Sequence, residues 1–323
     1  MGKMQECPFQ RGKFAHQKVI DENGSLFPMV LLPKDDNEEC NTLQSFIKSI
    51  QANKEFINDQ LKKVGALLFR GFPLKTASDF NEVMEAFGWE EQSYLGAASR
   101  TRVLGRVFTA NEAPLHQPIN FHHEMPLFQD FPTKLAFFCE VASSHGGQTA
   151  ILLSHKITER MEAKYPELVC KIEKEGLIYK SNLPAEDDPD DFLTGWQTLY
   201  KTRDKREAER MAANCGIKLS KVCWEGNNMI LRSEPIVSIR KVDEGKRAWF
   251  NLLAFRNIEE PPILGGGSMV PREAIESCFQ IAEEEAVEVK WEVGDIVVLD
   301  NRFVMHARRP SKSPRRILVA FCK

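Results

Sequence analysis

Long apolar runs are missing from this sequence. No stretch approaches the ~18 consecutive apolar residues of a membrane-spanning helix, so no membrane partner is expected. The stretch Met1 to Lys18 is polar and lacks the apolar centre of a secretory signal, and Ala320 to Lys323 match no lipidation or retention signal. Paired cysteines are missing as well. Cys7, Cys40, Cys139, Cys170, Cys215, Cys223, Cys278 and Cys322 are scattered with no CxxC, which disfavours zinc ribbons and thioredoxin-type redox chemistry. A chain of 323 residues can bury a full core without disulfides, so reduced thiols and a cytoplasmic location are the expectation. An excess of one charge is missing: 43 Lys and Arg against 46 Asp and Glu leave −3, which gives no electrostatic reason for a nucleic-acid partner. Gly265-Gly266-Gly267 lacks a following Gly-Lys-Ser/Thr and reads as a loop, not a phosphate cradle. The acidic stretch Glu186 to Asp191 has too little of the calcium-loop pattern and reads as solvated.

What is present has the balance of a globular domain, with 42% hydrophobic and 28% charged residues. Thr42 to Val64 reads as one helix, because Leu43, Phe46, Ile47 and Ile50 recur at helical spacing and Phe56, Ile57 and Leu61 continue the stripe. The apolar run between Gly65 and Gly71 reads as a buried strand, and Thr76 to Phe87 as a helix capped by Thr76 or Ser78. Strands are expected at Lys134 to Val141 and Thr149 to Leu153, then at Met229 to Leu231 and Arg247 to Leu253. Three more are expected at Ala286 to Trp291, Ile296 to Leu299 and Ile317 to Cys322. Helices are expected at Ile157 to Gly176, Thr202 to Gly216 and Pro271 to Glu284. The pattern predicts a single α+β domain with a mainly β core, an antiparallel sandwich or barrel. Residues 1–64 form its helical flank, and residues from about 156 to 221 form a helical insertion.

Chemistry concentrates at Phe121-His122-His123-Glu124-Met125. In a strand, i and i+2 share a face, so His122 and Glu124 point together and His123 points away. A His and a carboxylate on one face supply two ligands of a 2-His-1-carboxylate iron site. His306, which follows the strand entered at Gly294-Asp295, is the candidate third ligand. Ten residues beyond it comes Arg316, which alternation groups with Leu318 and Ala320. An Arg on an apolar inner face is costly unless it meets an anion, and its planar fork matches a carboxylate. Each element alone has a bland reading: an HxE triplet occurs by chance, His306 can be structural, and Arg316 can be a rim charge. The order and spacing of all of them together is more specific.

These segments resemble the Fe(II)- and 2-oxoglutarate-dependent dioxygenases of the taurine dioxygenase (TauD/TfdA) type, close to clavaminate synthase-like proteins. The resemblance runs from about Gly65 to the C-terminus. It rests on Gly65 to Phe72, Phe121 to Met125, Gly146-Gly147-Gln148-Thr149, Asp300 to His306 and Pro314-Arg315-Arg316-Ile317. It implies a double-stranded β-helix, or jelly-roll barrel, with flanking helices and a variable insertion. It implies that His122, Glu124 and His306 bind Fe(II), and that Arg316 and Thr149 hold 2-oxoglutarate, with Arg315 next in line for the arginine's role. O2 is the oxidant, ascorbate a supporting reductant, and succinate and CO2 are released as a small organic substrate is oxidised, by hydroxylation in the leading reading. Because Glu124 supplies the carboxylate, halogenation is disfavoured. The family's second arginine, four residues after the first, is replaced by Ala320, which removes one mode of substrate binding. Protein side-chain hydroxylation, a catalytically inactive binding protein and metal-dependent hydrolysis are the alternatives. The stretch Asn301 to Lys323 carries seven basic residues and no acidic one. It reads either as a field attracting the 2-oxoglutarate dianion or, for Arg308, Arg309 and Lys312, as a solvated rim.

Overall fold

Two sheets face each other across an apolar interior in the computed structural model, which describes residues 9–34, 41–96, 98–188, 194–242, 245–254 and 261–323. The larger has eight strands. Its order is Gln10–Gly12, Met29–Leu32, Ala66–Phe69, Ile296–Asp300, Lys134–Val141, Arg316–Cys322, Val107–Thr109 and Arg102–Leu104. The smaller has four, in the order Val287–Val289, Thr149–Leu153, Val304–Arg308 and Ile119–His122. Pairing is antiparallel throughout both, except between Met29–Leu32 and Ala66–Phe69.

The central strands read as continuous apolar runs because both of their faces are covered. Leu68, Phe137, Leu299, Val319 and Phe321 of the large sheet meet Ile151, Leu153 and Val304 of the small one. On the outer side of the large sheet, Phe69, Phe138, Val298, Leu318 and Ala320 pack with helices α1 (Leu43–Ala52), α2 (Lys54–Val64) and α3 (Ala77–Phe87). Behind the small sheet, Ala150, Leu152, Met305 and Ala307 pack with α4 (Ser154–Lys164) and α5 (Pro166–Glu175). Two further helices, α6 (Trp196–Tyr200) and α7 (Lys205–Ala213), lie in the insertion, and α8 (Arg272–Glu285) joins α4 behind the small sheet.

Several expected elements divide or change. The helix expected from Thr42 to Val64 is two helices broken at Asn53, whose φ of −125° and ψ of 27° leave the helical region and whose side-chain amide donates to the Ser49 carbonyl at 2.7 Å. The next long helix breaks before Pro166, which has no N–H to continue the ladder and sits instead in the first turn of α5. Thr76 is the cap of α3, its hydroxyl accepting from Asp79 N while the Asp79 carboxylate accepts from Thr76 N. The helical flank also carries strands, since Gln10–Gly12 and Met29–Leu32 join the large sheet. The insertion is not purely helical. Lys180–Leu183, Asn228–Ser233 and Leu219–Glu225 make a three-stranded sheet covered by Trp196, Tyr200 and Ala208. Leu219–Glu225 has no fully buried residue, so it lacks the alternating apolar signal of a strand. In the acidic loop, Asp187 accepts from Gly195 N at 2.7 Å and from the Thr198 hydroxyl at 2.9 Å, which ties it to α6, while 189–191 lie outside the described residues. Among the described residues, no helix is long and apolar enough to cross a membrane.

Candidate metal and co-substrate site

Sheet register assembles the candidate ligands. His306 is the direct cross-strand partner of His122, and their rings lie 4.3 Å apart. The chain leaves the strand after His122 and turns through Met125 at φ 54°. Asn301 holds this turn from both sides: its Oδ1 accepts from Glu124 N at 2.8 Å, and its Nδ2 donates to the carbonyls of Glu124 at 3.0 Å and Pro132 at 2.7 Å. The Glu124 Oε2 then stands 3.8 Å from His306 Nε2, and ligand atoms of His122, Glu124 and His306 all fall within 4.8 Å of one another.

The electrostatics suit a divalent cation. Burial lowers the pKa of both His122 and His306, which keeps the imidazoles neutral and their lone pairs available. His122 Nδ1 lies 2.8 Å from the Asn120 carbonyl, which fixes the proton there and makes Nε2 the lone-pair nitrogen. His306 Nδ1 is buried without a partner. Two neutral imidazoles and one carboxylate on a common side fit Fe(II). His123 turns away: its Nδ1 meets the Asn301 carbonyl at 2.7 Å, its Nε2 meets the Ser154 hydroxyl at 3.1 Å, and burial pushes its pKa down to about 3. It is a neutral structural link.

The arginine assignment changes face. In the Arg316–Cys322 strand, Ile317, Val319 and Phe321 point inward, whereas Leu318 and Ala320 point to α1–α3. Arg316 shares their outer parity. Its side chain is 48% exposed and donates at 2.5 Å to Glu140, whose other oxygen accepts from the α3 amide of Ala77. The residue on the inner parity is Arg315, and the inward position four residues later is Val319, not Ala320. Burial, with Arg308 nearby, pushes the Arg315 guanidinium down to about 10, and its Nε donates to the Gly147 carbonyl at 3.1 Å.

The Gly146-Gly147 pair makes this corner possible. Both have positive φ, 69° and 75°. A Cβ on Gly146 would stand 2.1 Å from the Pro310 carbonyl oxygen, and one on Gly147 would stand 2.9 Å from Arg315 Cδ. Gly146→Ala is therefore expected to cost about 2–4 kcal/mol, from the left-handed backbone and the overlap together, and urea unfolding measures it. Thr149, two residues on, is buried and accepts from Trp291 Nε1 at 3.0 Å, which leaves its own hydroxyl hydrogen to donate.

Of the three residues read as a solvated rim, Lys312 is exposed, whereas Arg308 and Arg309 are engaged within the protein. Arg308 is 5% exposed and donates to the carbonyls of Ala113, Pro114 and Gln117, pinning the segment that leads into the His122 strand. Arg309 pairs with Glu283 and Glu288, Arg302 with Asp300 and Lys323 with Asp130. Most of the C-terminal positive charge is thus neutralised locally. Asn251 is engaged through both side-chain atoms, with Ser238 and Leu253, which makes it structural, and Asn111 Oδ1 accepts from Ala113 N and Arg308. His116 and His145 are exposed, and His155 is buried at the start of α4. Sequence reasoning missed Arg100. Its Nη2 donates to both Glu124 oxygens at 3.0 Å, and it comes from an irregular segment with no periodicity to mark it.

Two imidazoles and a carboxylate, with His306 and Glu124 buried and His122 partly so, make the donor set of a non-haem iron oxygenase. The model of the taurine catabolism dioxygenase TauD, TfdA family matches residues 38–322. A clavaminate synthase-like protein of Arabidopsis thaliana is 40% identical over 312 residues, covering 92% of this chain and 94% of its own. The structure of PvcB from Pseudomonas aeruginosa is similar in fold, with a TM-score of 0.52 at 13% identity over 99% of this chain and 93% of its own. A second PvcB structure, of an Fe, α-ketoglutarate-dependent oxygenase from an isonitrile synthetic pathway, gives 0.51 at 13% identity over 99% and 94%. The chain belongs to the TauD/TfdA dioxygenase family and is an Fe(II)- and 2-oxoglutarate-dependent oxygenase.

Proposed function

We propose that His122, Glu124 and His306 hold Fe(II), that Arg315 and Thr149 hold the distal carboxylate of 2-oxoglutarate, and that a small organic substrate is hydroxylated beside them. The observation that carries this is the cross-strand pairing of His306 with His122, which places two neutral imidazoles against Glu124. When bound, the iron supplies the oxidising chemistry, using O2 to convert 2-oxoglutarate to succinate and CO2. The chain's part is to hold, orient and exclude water. Asn301 fixes the Glu124 backbone, so the carboxylate needs little reordering to bind a cation. Trp291 occupies one acceptor position of the Thr149 hydroxyl, which leaves its hydrogen to donate to a carboxylate. Arg315 lacks a carboxylate partner among the described residues, so a bound carboxylate satisfies a cation otherwise left with one carbonyl. The burial of Glu124 and His306 favours a small molecule over a protein side chain. We read the two facing sheets as the double-stranded β-helix of the family. The described thiols, among them Cys139, Cys278 and Cys322, are unpaired, in keeping with a cytoplasmic enzyme.

The test is conversion of 2-oxoglutarate to succinate by purified protein with Fe(II), O2 and ascorbate. Slow, metal-dependent succinate formation without added substrate is expected. Its absence, with or without a library of small organic compounds, would overturn the assignment.

A further inference from the structure

The Glu124 carboxylate has two claimants. Its Oε2 stands 3.8 Å from His306 Nε2, on the side where the candidate ligands converge. Arg100 Nη2 donates to both of its oxygens, each at 3.0 Å. A donor bonded to both oxygens at once stands between them, at the open end of the carboxylate. A metal chelated by both oxygens has to stand there too, because it is also equidistant from them.

The guanidinium is firmly held in that place. The side chains of Arg100 and Glu124 are each 5% exposed, so little water competes for the bond. Tyr94 hydrogen-bonds the guanidinium, and the ring centroids of Tyr94 and Phe321 lie 4.6 and 5.2 Å from it. An arginine does not give up its proton to make way for a second cation. A buried charge-assisted bond of this kind is also costly to break. A carboxylate has two oxygens with separate lone pairs, so it can keep both cations by giving one oxygen to each. Oε2 is the oxygen placed for the metal, which leaves Oε1 to Arg100.

We propose that Arg100 is a positioning residue that confines Glu124 to holding the metal through a single oxygen, and so keeps one coordination position open. This rests on the metal and 2-oxoglutarate assignments above. Two imidazoles and one carboxylate oxygen fill three of the six positions of an octahedral metal. With 2-oxoglutarate bound through two atoms, one position is left for O2. Without Arg100, Glu124 is free to chelate through both oxygens, and that last position closes. Arg100 acts wholly through Glu124.

The experiment counts the water molecules on protein-bound Mn(II) by water-proton relaxation, with and without saturating 2-oxoglutarate. Arg100→Met keeps an unbranched side chain against Tyr94 and Phe321 but removes the charge and the donors. The relaxation enhancement per bound Mn(II) is expected to fall by about one third in Arg100→Met without 2-oxoglutarate, as three waters become two. With 2-oxoglutarate bound it should fall by at least about 3-fold, as the last water is lost. A merely structural role for Arg100 predicts weaker Mn(II) binding with the same water count per bound metal, and that result overturns the proposal. It is also overturned if the unsubstituted protein shows no metal-bound water once 2-oxoglutarate is in place. Should Arg100→Met fail to fold, a crystal structure of the unsubstituted protein with Mn(II) decides. One Glu124 oxygen on the metal and the other on Arg100 supports the proposal, and chelation by both oxygens or an Arg100 moved off Glu124 overturns it. Failure of the underlying assignment is separately visible as absence of Mn(II) binding, or of Mn(II)-dependent 2-oxoglutarate binding, in the unsubstituted protein.

Discussion

Replacing His306 or His122 with alanine is expected to reduce succinate formation to background and to weaken Mn(II) binding by at least about 100-fold, as read by calorimetry. Each change removes one neutral imidazole from a set whose ligand atoms lie within 4.8 Å. Neither of the other two side chains can span the vacated position. The neighbouring His123 makes the control. It touches the Asn301 carbonyl and the Ser154 hydroxyl, and it stacks on Phe250 with ring centroids 4.4 Å apart. His123→Ala should therefore keep one metal per chain. It should still lower stability by about 2–4 kcal/mol, because it opens a cavity and strands two buried polar groups. If His123→Ala loses the metal while His122→Ala keeps it, the strand register at Phe121–Glu124 is other than described.

The second large effect separates two adjacent arginines. Arg315→Gln should raise the 2-oxoglutarate concentration for half-maximal turnover by about 10–100-fold, since it removes a charge-assisted partner from a half-buried carboxylate site. Arg316→Gln should change it less than about two-fold and cost about 0–1 kcal/mol in stability, the usual worth of a half-exposed ion pair such as that with Glu140. The opposite outcome would restore the assignment to Arg316 and require the C-terminal strand to present its other face inward.

That contrast explains what could and could not be read from the residue order. Alternation in the Arg316–Cys322 strand correctly divides its residues into two sets. It does not say which set is inner, because both faces are buried, one against the facing sheet and one against α1–α3. Polarity names the inner face only when the other face meets water. The HxE spacing survived because its neighbour offers a contrast: His122 and Glu124 come together while His123 turns the opposite way. Helix breaks at Asn53 and Pro166 were legible in principle from residue type, but the apolar stripe ran through both and masked them. The small sheet of the insertion had no such signal, since Leu219–Glu225 buries little.

By itself, the sequence determined the chemistry available: which side chains can hold iron, the Gly-Gly-x-Thr segment, and a basic C-terminal stretch. Those follow from residue type and local spacing, which are covalent facts. Only the tertiary structure decided which arginine faces the site, that Arg308 and Arg309 are already engaged, and that Arg100 reaches Glu124 across 24 residues. These depend on which of two apolar faces a neighbouring sheet covers and on where an irregular loop returns. Both are set by long-range packing, and no local period in the chain records them.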